Sequence, residues 1–379
     1  MVDGIVPVRR RTWAEISISN VIYNYKMLKS KLSAQTKVCC VVKANAYGHG
    51  AVELSREYEK LGADFLAVSN IEEALALREG GIGLPILILG YTDPRCAELL
   101  KNNNIQQCVF SMEYASALNH YAKSAGVKVD VHIKLDTGMG RLGFLCENQM
   151  LDDIVKINHM DFLSIEGIFT HFASADEGKE GEEYTRLQAI KFKDAIEYLE
   201  KKGVLFKIKH CANSATAIDY PEMQMDMVRL GIVLYGCQSD KITRKIDLRP
   251  VMSLKTVISY IKWLPENFSL SYGREYFTKT RTRVATIPIG YADGLWRSNY
   301  RNNLKVVAGS HSVPIIGRVC MDQCMLDITG CDDVQIGDEV TVFGLQKGHT
   351  VEDIAKINST ISYEILCDVG ARVPRIYIK

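Results

Sequence analysis

A lysine stands at the end of the first strongly apolar run, in the string Lys-Ala-Asn-Ala-Tyr-Gly-His-Gly at residues 43–50. A lysine amine in a partly dry site has a lowered pKa, because burial disfavours its charged form. Such an amine is suited to Schiff-base chemistry. An isolated lysine at a strand end is more often a snorkelling side chain. The interpretation of Lys43 therefore depends on the residues around it.

A glycine-rich string, His-Ile-Lys-Leu-Asp-Thr-Gly-Met-Gly-Arg-Leu-Gly-Phe, occupies residues 132–144. Gly138, Gly140 and Gly143 match the GxGxxG spacing of a dinucleotide-binding turn. The string lies in mid-chain rather than in a first βα unit, and no clear helix begins after Gly143. We therefore favour a different function, in which the glycines let the backbone approach a ligand. The planar fork of Arg141 suits a carboxylate or a phenolate.

Polar residues also follow the later apolar runs. The string Thr-His-Phe-Ala-Ser-Ala-Asp contains His171, and His-Cys-Ala-Asn-Ser-Ala begins with His210. A lone histidine at a strand end is more often a structural residue, but two at successive strand ends favour a functional site. The string Arg-Leu-Gly-Ile-Val-Leu-Tyr-Gly, beginning at Arg229, follows the last run. Backbone N–H groups at Gly231 and Ile232 are placed to bind a phosphate there.

The elements that position these residues alternate between short Val- and Ile-rich runs and amphipathic stretches from residue 38 to about residue 229. Eight such runs predict a (β/α)₈ barrel of TIM type, with its chemistry at the C-terminal ends of the strands. A doubly wound sheet also alternates, but it usually stops at five or six strands. The candidate strands are residues 38–43, 64–69, 85–89, 106–110, 128–135, 162–170, 205–210 and 225–229.

After residue 236 the pattern changes to strand-like segments separated by turn-forming residues, with few helical periods. We predict a mostly antiparallel β-domain with strands at residues 253–261, 282–288, 313–316, 325–328 and 339–343. The predicted limits are 14–240 for the barrel, and 1–13 together with 241–379 for the β-rich domain. The segment before residue 38 is expected to pack against that second domain.

The charge balance argues against nucleic-acid and membrane partners. The 379 residues carry 46 Lys+Arg and 45 Asp+Glu, a net charge of +1, so no global field attracts polyanions. The run Arg9 to Arg11 is interpreted as a solvated arm. No stretch has the roughly 18 apolar residues of a membrane span, and the N-terminus lacks the apolar core of a signal peptide. We expect a soluble protein.

Cysteine usage points to a reducing compartment. The 11 cysteines are odd in number and show no paired CxxC arrangement. This favours reduced thiols over a disulfide framework or a zinc site. We therefore expect a cytoplasmic location, either as a soluble protein or as the cytosolic part of a membrane protein, and no metal.

The string around Lys43 resembles the cofactor-lysine motif of the alanine racemase family. Further strings resemble the same family in the same order, from Thr12 to Arg375, and so cover nearly the whole chain. Departures are the Cys39-Cys40 pair, Arg11 before Thr12, and a short N-terminal extension, none of which touches the inferred site. The later matching strings are residues 132–144, 170–176, 210–215, 229–236, 270–274, 288–294, 317–323, 363–364 and 372–375.

The resemblance implies a pyridoxal-phosphate racemase that interconverts L- and D-alanine and supplies peptidoglycan precursors. Lys43 would carry the cofactor and act as one base, and Tyr272 would act on the opposite face of the carbanion. The lysine matching Lys134 is often carbamylated in the family. The implied cofactor contacts are Tyr47, His171, Asn213, Ser214, Arg229, Gly231, Ile232 and Tyr363, and the implied substrate contacts are Arg141, Tyr291, Met321 and Asp322.

Two of these roles depend on pKa values. A free tyrosine has a pKa of about 10, so a phenolate at Tyr272 needs cationic help, for which His171 and Arg229 are candidates. Arg229 matches the family arginine that faces the pyridine nitrogen. With a pKa above about 12, arginine does not protonate that nitrogen. The carbanion is then poorly delocalised, which favours reprotonation at the α-carbon over transamination.

In the family the catalytic tyrosine comes from the neighbouring chain, which implies an obligate head-to-tail homodimer. A serine racemase of the vancomycin-resistance type is an alternative, against which the bulky Tyr363 argues only modestly. A non-catalytic cofactor carrier lacks the second domain that contains Tyr272. A decarboxylase of the same barrel type usually pairs the pyridine nitrogen with a carboxylate, and Arg229 argues against it.

Overall fold

The computed structural model describes residues 11–379. Arg9 and Arg10 of the predicted solvated arm, and the other residues before Arg11, lie outside the described residues. The chain divides into two compact units. One consists of Val21–Ala46 and Gly50–Leu248, and the other contains the described residues up to Asn20 together with Tyr47–His49 and Arg249–Lys379.

The described residues form twenty strands and ten right-handed α-helices. The strands are β1 Thr12–Ser17, β2 Lys37–Val41, β3 Phe65–Val68, β4 Ile86–Ile88, β5 Ile105–Val109, β6 Val129–Asp136, β7 Phe144–Leu145, β8 Leu163–Phe169, β9 Ile208–His210, β10 Met227–Leu230, β11 Met252–Val257, β12 Tyr260–Leu264, β13 Ser269–Leu270, β14 Tyr276–Phe277, β15 Thr282–Ile287, β16 Lys305–Ala308, β17 His311–Ile316, β18 Cys324–Asp327, β19 Glu339–Phe343 and β20 Arg375–Ile378. The helices are α1 Ile18–Lys29, α2 Ala51–Lys60, α3 Ile71–Glu79, α4 Ala97–Asn102, α5 Met112–Ala125, α6 Asn148–Asn158, α7 Lys179–Lys201, α8 Ser214–Asp219, α9 Val351–Ile357 and α10 Ser362–Cys367.

The first unit contains a parallel sheet of eight strands in the order β10-β2-β3-β4-β5-β6-β8-β9. Two backbone hydrogen bonds join its two ends, from Asp226 N to Lys209 O at 3.1 Å and from Arg229 N to Ala212 O at 3.0 Å. The sheet is therefore a nearly closed (β/α)₈ barrel. This confirms the predicted fold class and all eight predicted strands. The prediction was possible because parallel strands are buried on both faces and therefore appear in the sequence as continuous apolar runs.

The helices around the barrel begin and end at recognisable residues. Asn70 caps α3, its side chain accepting the N–H of Glu73, and Ser111 caps α5 in the same way. Helix α5 ends at Gly126, whose φ of 67° is left-handed. Such caps bind backbone groups that the helix leaves without partners. Asn70 and Ser111 therefore mark where α3 and α5 begin, and Gly126 marks where α5 ends.

The second unit is built on a nine-stranded sheet in the order β12-β15-β18-β17-β16-β19-β11-β1-β20. All neighbours pair antiparallel except β1 and β20, which are parallel. Leu264, Leu270, Val284 and Ile316 form a buried cluster in this unit. The prediction of a mostly antiparallel β-domain is confirmed.

One predicted strand of this domain was wrong in extent. Residues 253–261 form not one strand but parts of β11 and β12, which pair with β19 and β15 respectively. The chain changes partner at Ile258, whose N–H binds Asp338 O, and at Ser259, whose N–H binds Thr286 O. Apolar residues on both sides of Ser259 make the segment look like one strand, so the sequence gives little sign of the break.

Three further features of the described residues bear on the predictions. No helix in the described range combines the length and apolar character of a membrane span. All eleven cysteines are free thiols. No group of metal-ligating side chains occurs among residues 11–379.

Candidate active site

The chain leaves β2 through a left-handed turn that begins at Lys43. Three residues inside it have φ between 51° and 54° and ψ between 47° and 50°, and Tyr47 continues with a φ of 53°. This conformation costs about 1–2 kcal/mol for each non-glycine residue, and strain of this kind persists only where surrounding contacts impose it. The strained residues are Ala44, Asn45, Ala46 and Tyr47.

Asn45 holds the far side of this turn. Its backbone O accepts the N–H of Gly50 at 2.9 Å, and its Oδ1 accepts the N–H of Ala51 at the start of α2 at 2.8 Å. The N–H of Ala46 donates to Val42 O at 2.8 Å. The predicted cofactor lysine therefore stands at the start of a segment that is fixed against both β2 and α2.

Arg229 on β10 is a buried cation whose guanidinium is fixed by five hydrogen bonds. Its Nη1 donates to Nδ1 and O of His210 at 3.0 and 3.2 Å. Its Nη2 donates to Thr170 O at 2.8 Å, Cys211 O at 3.1 Å and His171 Nδ1 at 3.3 Å. None of its hydrogen bonds to the described residues uses Nε. Burial lowers the pKa of Arg229 to about 10, so it stays charged at neutral pH.

Arg229 also decides the state of the two neighbouring histidines. Because it donates to the Nδ1 atoms of His171 and His210, these nitrogens accept and the ring proton lies on Nε2. Burial first, then the nearby arginine, holds the pKa of both histidines well below its usual value. A neutral His171 ring carries no positive charge, so the predicted cationic help to a phenolate at Tyr272 stays a prediction for Arg229 rather than for His171.

Lys134 on β6 lies close to this arginine. Its Nζ is 4.4 Å from the ring centroid of Phe169, and the guanidinium carbon of Arg229 is 5.4 Å from the same centroid. Burial, followed by the charge of Arg229, lowers the pKa of Lys134 to about 7. A large fraction of this amine is neutral at physiological pH, unlike that of an ordinary lysine.

The loop that carries Arg141 is organised by Asp136, a residue that the sequence interpretation missed. Asp136 Oδ1 accepts the N–H groups of Gly138 and Gly140 at 2.9 and 3.1 Å, and Oδ2 accepts that of Arg141 at 3.0 Å. Burial raises the pKa of Asp136, but these backbone donors outweigh it and lower the pKa below its usual value. An aspartate before Thr-Gly at a strand end is a recognisable turn signal. Arg141 itself is exposed.

Ser214 and Gly231 come together at the start of two helical turns. Gly231 N–H donates to Ser214 Oγ at 2.9 Å, and the 3₁₀ turn Ile232–Tyr235 begins directly after Gly231. Asn213 is the N-cap of α8, its Oδ1 accepting the N–H of Thr216 at 3.0 Å. Backbone donors at such helix starts, with a serine hydroxyl, suit a phosphate.

In the second unit, Tyr47 and Tyr363 lie with ring centroids 5.7 Å apart. Burial raises the pKa of Tyr47 far above its usual value, so its hydroxyl remains a hydrogen-bond donor. Next to it, Gly48 has a φ of +82°, and a Cβ there would be 2.4 Å from Leu366 O. Arg375 Nε donates to Gly48 O at 2.8 Å.

The same unit brings Tyr291, Met321 and Asp322 together. Tyr291 N–H donates to Cys320 O at 3.0 Å, and Met321 O accepts an N–H of the following turn. Arg372 bonds Asp322 at 2.7 Å and the buried Asp293 at 2.8 Å. Asp293, which the sequence interpretation did not identify as important, thus fixes the turn that presents Tyr291.

Tyr272 lies in the short turn Tyr272–Arg274 of the second unit, and its side chain is 65% exposed. The preceding Ser271 has a φ of 63° and donates through Oγ to Arg318 O at 2.6 Å. The turn is therefore fixed at its start, whereas the phenol it presents is open in the single chain.

Comparisons with known proteins cover both units. A family model described as the alanine racemase N-terminal domain matches residues 16–239, and one described as the C-terminal domain matches residues 251–377. An alanine racemase of Clostridium tetani is 44% identical over 98% of this chain and 96% of its own, and one of Methanococcus maripaludis is 44% identical over 97% and 98%. A solved alanine racemase of Clostridium difficile 630 superposes with a TM-score of 0.94 at 43% identity, over 98% of this chain and 96% of its own.

The parallel barrel, the lysine at the end of its first strand and the following β-domain define a class of pyridoxal-phosphate racemases. The chain belongs to the alanine racemase family, as the sequence motifs predicted. The donors present fit the cofactor. Ser214 Oγ and the N–H groups at the helix starts would suit its phosphate, and the Arg229 guanidinium, whose Nε binds none of the described residues, would suit an acceptor such as its pyridine nitrogen.

Proposed function

We propose that this racemase interconverts L- and D-alanine, with Lys43 and Tyr272 as the two acid–base groups. The observation that carries the proposal is the full-length match to proteins named alanine racemase, which extends over 96% of the Clostridium tetani chain. The expected role is the supply of D-alanine for peptidoglycan precursors. The similar proteins compared above give no support to the serine-racemase alternative.

Lys43 would carry pyridoxal phosphate until the substrate amine displaces the lysine amine; the cofactor would then withdraw electrons from the α-carbon and acidify its C–H bond, and Lys43 Nζ would be free to act as a base. Lys43 Nζ takes or returns the proton on one face of that carbon, and the Tyr272 hydroxyl does so on the other. Arg229 donates a hydrogen bond to the ring nitrogen without losing its proton, because its pKa of about 10 is far above neutrality. His171 lies beside Arg229 and supports it as a neutral acceptor.

The remaining predicted residues bind rather than transfer protons. We assign Tyr47, Asn213, Ser214, Gly231 and Ile232 to the phosphate end of the cofactor. The geometry at Asn213 supports an indirect part, since its side-chain oxygen caps α8. The proposed substrate contacts are Arg141, Tyr291, Met321 and Asp322. Tyr363 is proposed as a cofactor contact that also narrows the entrance together with Tyr291.

We propose that Lys134 is carbamylated. Its neutral amine attacks carbon dioxide, an N–C bond forms and one proton leaves, which gives an anion beside the cations. The lowered pKa of about 7 supports this, because only the neutral amine is nucleophilic. A carbonyl resonance from ¹³C-labelled bicarbonate that Lys134→Gln abolishes is the expected result, and its persistence in that variant would contradict the assignment.

The proposed assembly is a head-to-tail homodimer in the cytoplasm. The exposure of Tyr272 in the single chain supports a role completed by a second copy, because a base in contact with bulk water is poorly placed to act on a shielded carbon. The eleven free thiols support a reducing compartment. The predicted domain limits of 14–240, and 1–13 with 241–379, stay proposals.

The experiment that tests the function is a coupled assay for D-product, run separately with L-alanine and L-serine on protein that shows the yellow absorbance of bound cofactor. Dominant D-alanine formation, lost in Lys43→Ala, is expected. Dominant D-serine would overturn the substrate assignment. Cofactor binding with no racemisation of either amino acid would overturn the enzymatic function and support a carrier.

A further inference from the structure

Glu73 in the first turn of α3 departs from the local capping pattern. The N-cap Asn70 accepts the N–H of Glu73 at 2.9 Å. In a capping box, the carboxylate at this third helical position returns to the N–H of the N-cap residue itself. Here Oε2 of Glu73 instead accepts the N–H of Ser69 at 2.8 Å, and Oε1 accepts the N–H of Ala44 at 2.6 Å. One carboxylate therefore bonds two segments at once.

The two segments are the ends of neighbouring barrel strands. Strands β2 and β3 pair in register up to Val41 and Ala67, and the N–H of Val42 still donates to Ala67 O at 2.9 Å. Ser69 directly follows β3, and Ala44 directly follows Lys43. Glu73 thus connects the two strands beyond their last backbone hydrogen bond. On the β2 side it binds Ala44, the residue next to Lys43.

We propose that Glu73 is a positioning residue for Lys43: its carboxylate holds the left-handed turn and so sets the direction in which the lysine side chain leaves the strand. Two physical reasons support this. A hydrogen bond to an ionised acceptor is short and strong, and the start of α3 stabilises the negative charge that makes it. Backbone in a sparsely populated conformation needs such a contact. The inference rests on the proposed role of Lys43 as the cofactor lysine.

The variant that tests the proposal is Glu73→Gln, with Glu72→Gln as its matched control. A glutamine has a single carbonyl oxygen, so it can accept from Ala44 or from Ser69, and its amide N–H₂ faces the other donor. Glu72 is exposed and lies in the same helical turn. Its substitution removes the same charge from the same helix end without touching the lysine turn.

We expect Glu73→Gln to lower kcat roughly 10- to 100-fold, the range for loss of a hydrogen bond to a charged group, while KM for alanine changes less than about twofold. The absorbance maximum of the bound cofactor should shift, and cofactor should be lost faster on dialysis. Glu72→Gln should match the wild type in all of these. If the two variants behave alike, the proposal is overturned. The proposal is also overturned if Glu73→Gln loses both thermal stability and activity while the cofactor spectrum stays unchanged. That result would mean that Glu73 only caps the helix.

Hydrogen exchange of the purified protein gives a second measurement, read by mass spectrometry on peptides that cover residues 42–46. The wild type should protect Ala44 strongly, and Glu73→Gln should release it. Fast exchange there in the wild type would overturn the proposal even if the variant fails to fold. Should the protein show no racemisation at all, the proposed function fails, whereas the exchange result still decides the role of Glu73.

Discussion

Two cations, Lys134 and Arg229, contact one aromatic ring, that of Phe169, in the barrel interior. Their pKa values separate them chemically. Arg229 remains an ion because a pKa of about 10 still exceeds neutral pH by several units, whereas Lys134 titrates near pH 7. Burial therefore leaves Arg229 permanently charged, whereas it makes much of the Lys134 amine neutral and able to react.

The free energy of unfolding should show the cost of burying Lys134. The pKa of Lys134 falls from 10.5 in the unfolded chain to about 7, so between these values the unfolded state binds more protons and stability rises with pH. The destabilisation caused by burying the charged form of Lys134 is fully present below pH 7 and is lost above about pH 10.5. Lys134→Met should therefore exceed the wild type in free energy of unfolding by roughly 3 kcal/mol more at about pH 6 than at about pH 9.

Denaturant unfolding in buffers free of carbon dioxide measures this difference. Lys156→Met serves as the control, because its hydrogen bond to Asp153 raises the pKa of this exposed lysine. The control should show no difference between the two pH values. A difference for Lys134→Met that does not depend on pH would contradict the lowered pKa.

The charge of Arg229 should govern the balance between racemisation and transamination. Replacing it with glutamate places an acid beside the pyridine nitrogen, which then gains a proton and becomes a stronger electron sink. We expect Arg229→Glu to lower racemisation at least tenfold and to raise pyruvate formed per racemisation event. Arg229→Lys keeps a cation and should not raise that ratio. Equal ratios in the two variants would show that the arginine does not control the reaction.

At the scale of elements, the segment Tyr47–His49 depends on a close backbone approach. Gly48 and Gly62 both have left-handed φ values, +82° and +76°, but only Gly48 has a neighbour that a Cβ would strike, Leu366 O at 2.4 Å. Each alanine substitution costs about 1 kcal/mol for its φ alone. Because its Cβ also meets Leu366 O, Gly48→Ala should lose about 1–3 kcal/mol more free energy of unfolding than Gly62→Ala.

Thermal or denaturant unfolding of the two variants side by side tests this, with cofactor retention as a second readout. The Gly62→Ala variant corrects for the common backbone strain. Similar losses in both proteins would mean that the chain around Leu366 moves aside easily.

The sequence predicted the regular elements well and the special turn not at all. Val- and Ile-rich runs mark buried strands in both sheets, so the parallel strand β6 was located to within one residue and the antiparallel strand β19 to the residue. The string Ala-Asn-Ala-Tyr contains no glycine, and by intrinsic propensity it favours a right-handed helix. Its left-handed conformation is imposed by contacts from Glu73 and from α2, which lie elsewhere in the chain. Propensity arguments see only local sequence, so they could not find it.

The site residues show the same division. Motifs led to Lys43, Arg229 and Ser214 as proposed site residues because each of them lies in a recognisable string of its own. The residues that hold such groups, Glu73 and Asp136, were missed because their importance lies in the hydrogen bonds they make to other segments. Positioning residues are thus harder to read from sequence than reacting ones.

At the scale of the whole molecule, a site shared between two chains makes a quantitative prediction. Lys43→Ala and Tyr272→Phe homodimers should each be inactive. After their chains exchange at random, half of the dimers are mixed, and each mixed dimer contains one site with both groups intact. Activity should therefore recover to about a quarter of the wild-type value.

The recovery is measured by mixing the two purified variants under mild denaturation and assaying after refolding. A mixture of either variant with itself is the control. No recovery, in a mixture shown by mass to contain mixed dimers, would mean that each chain uses its own tyrosine and that the shared site is wrong.

The turn after Lys43 has a chemical consequence of its own. Left-handed backbone is unfavourable for L-residues because of the position of Cβ, and for their mirror images the preference is reversed. Ala44 and Ala46 therefore hold the geometry that D-alanine adopts without strain. If semisynthesis were to place D-alanine at position 44, the enzyme would contain, beside its reactive lysine, the same enantiomer that it is proposed to release.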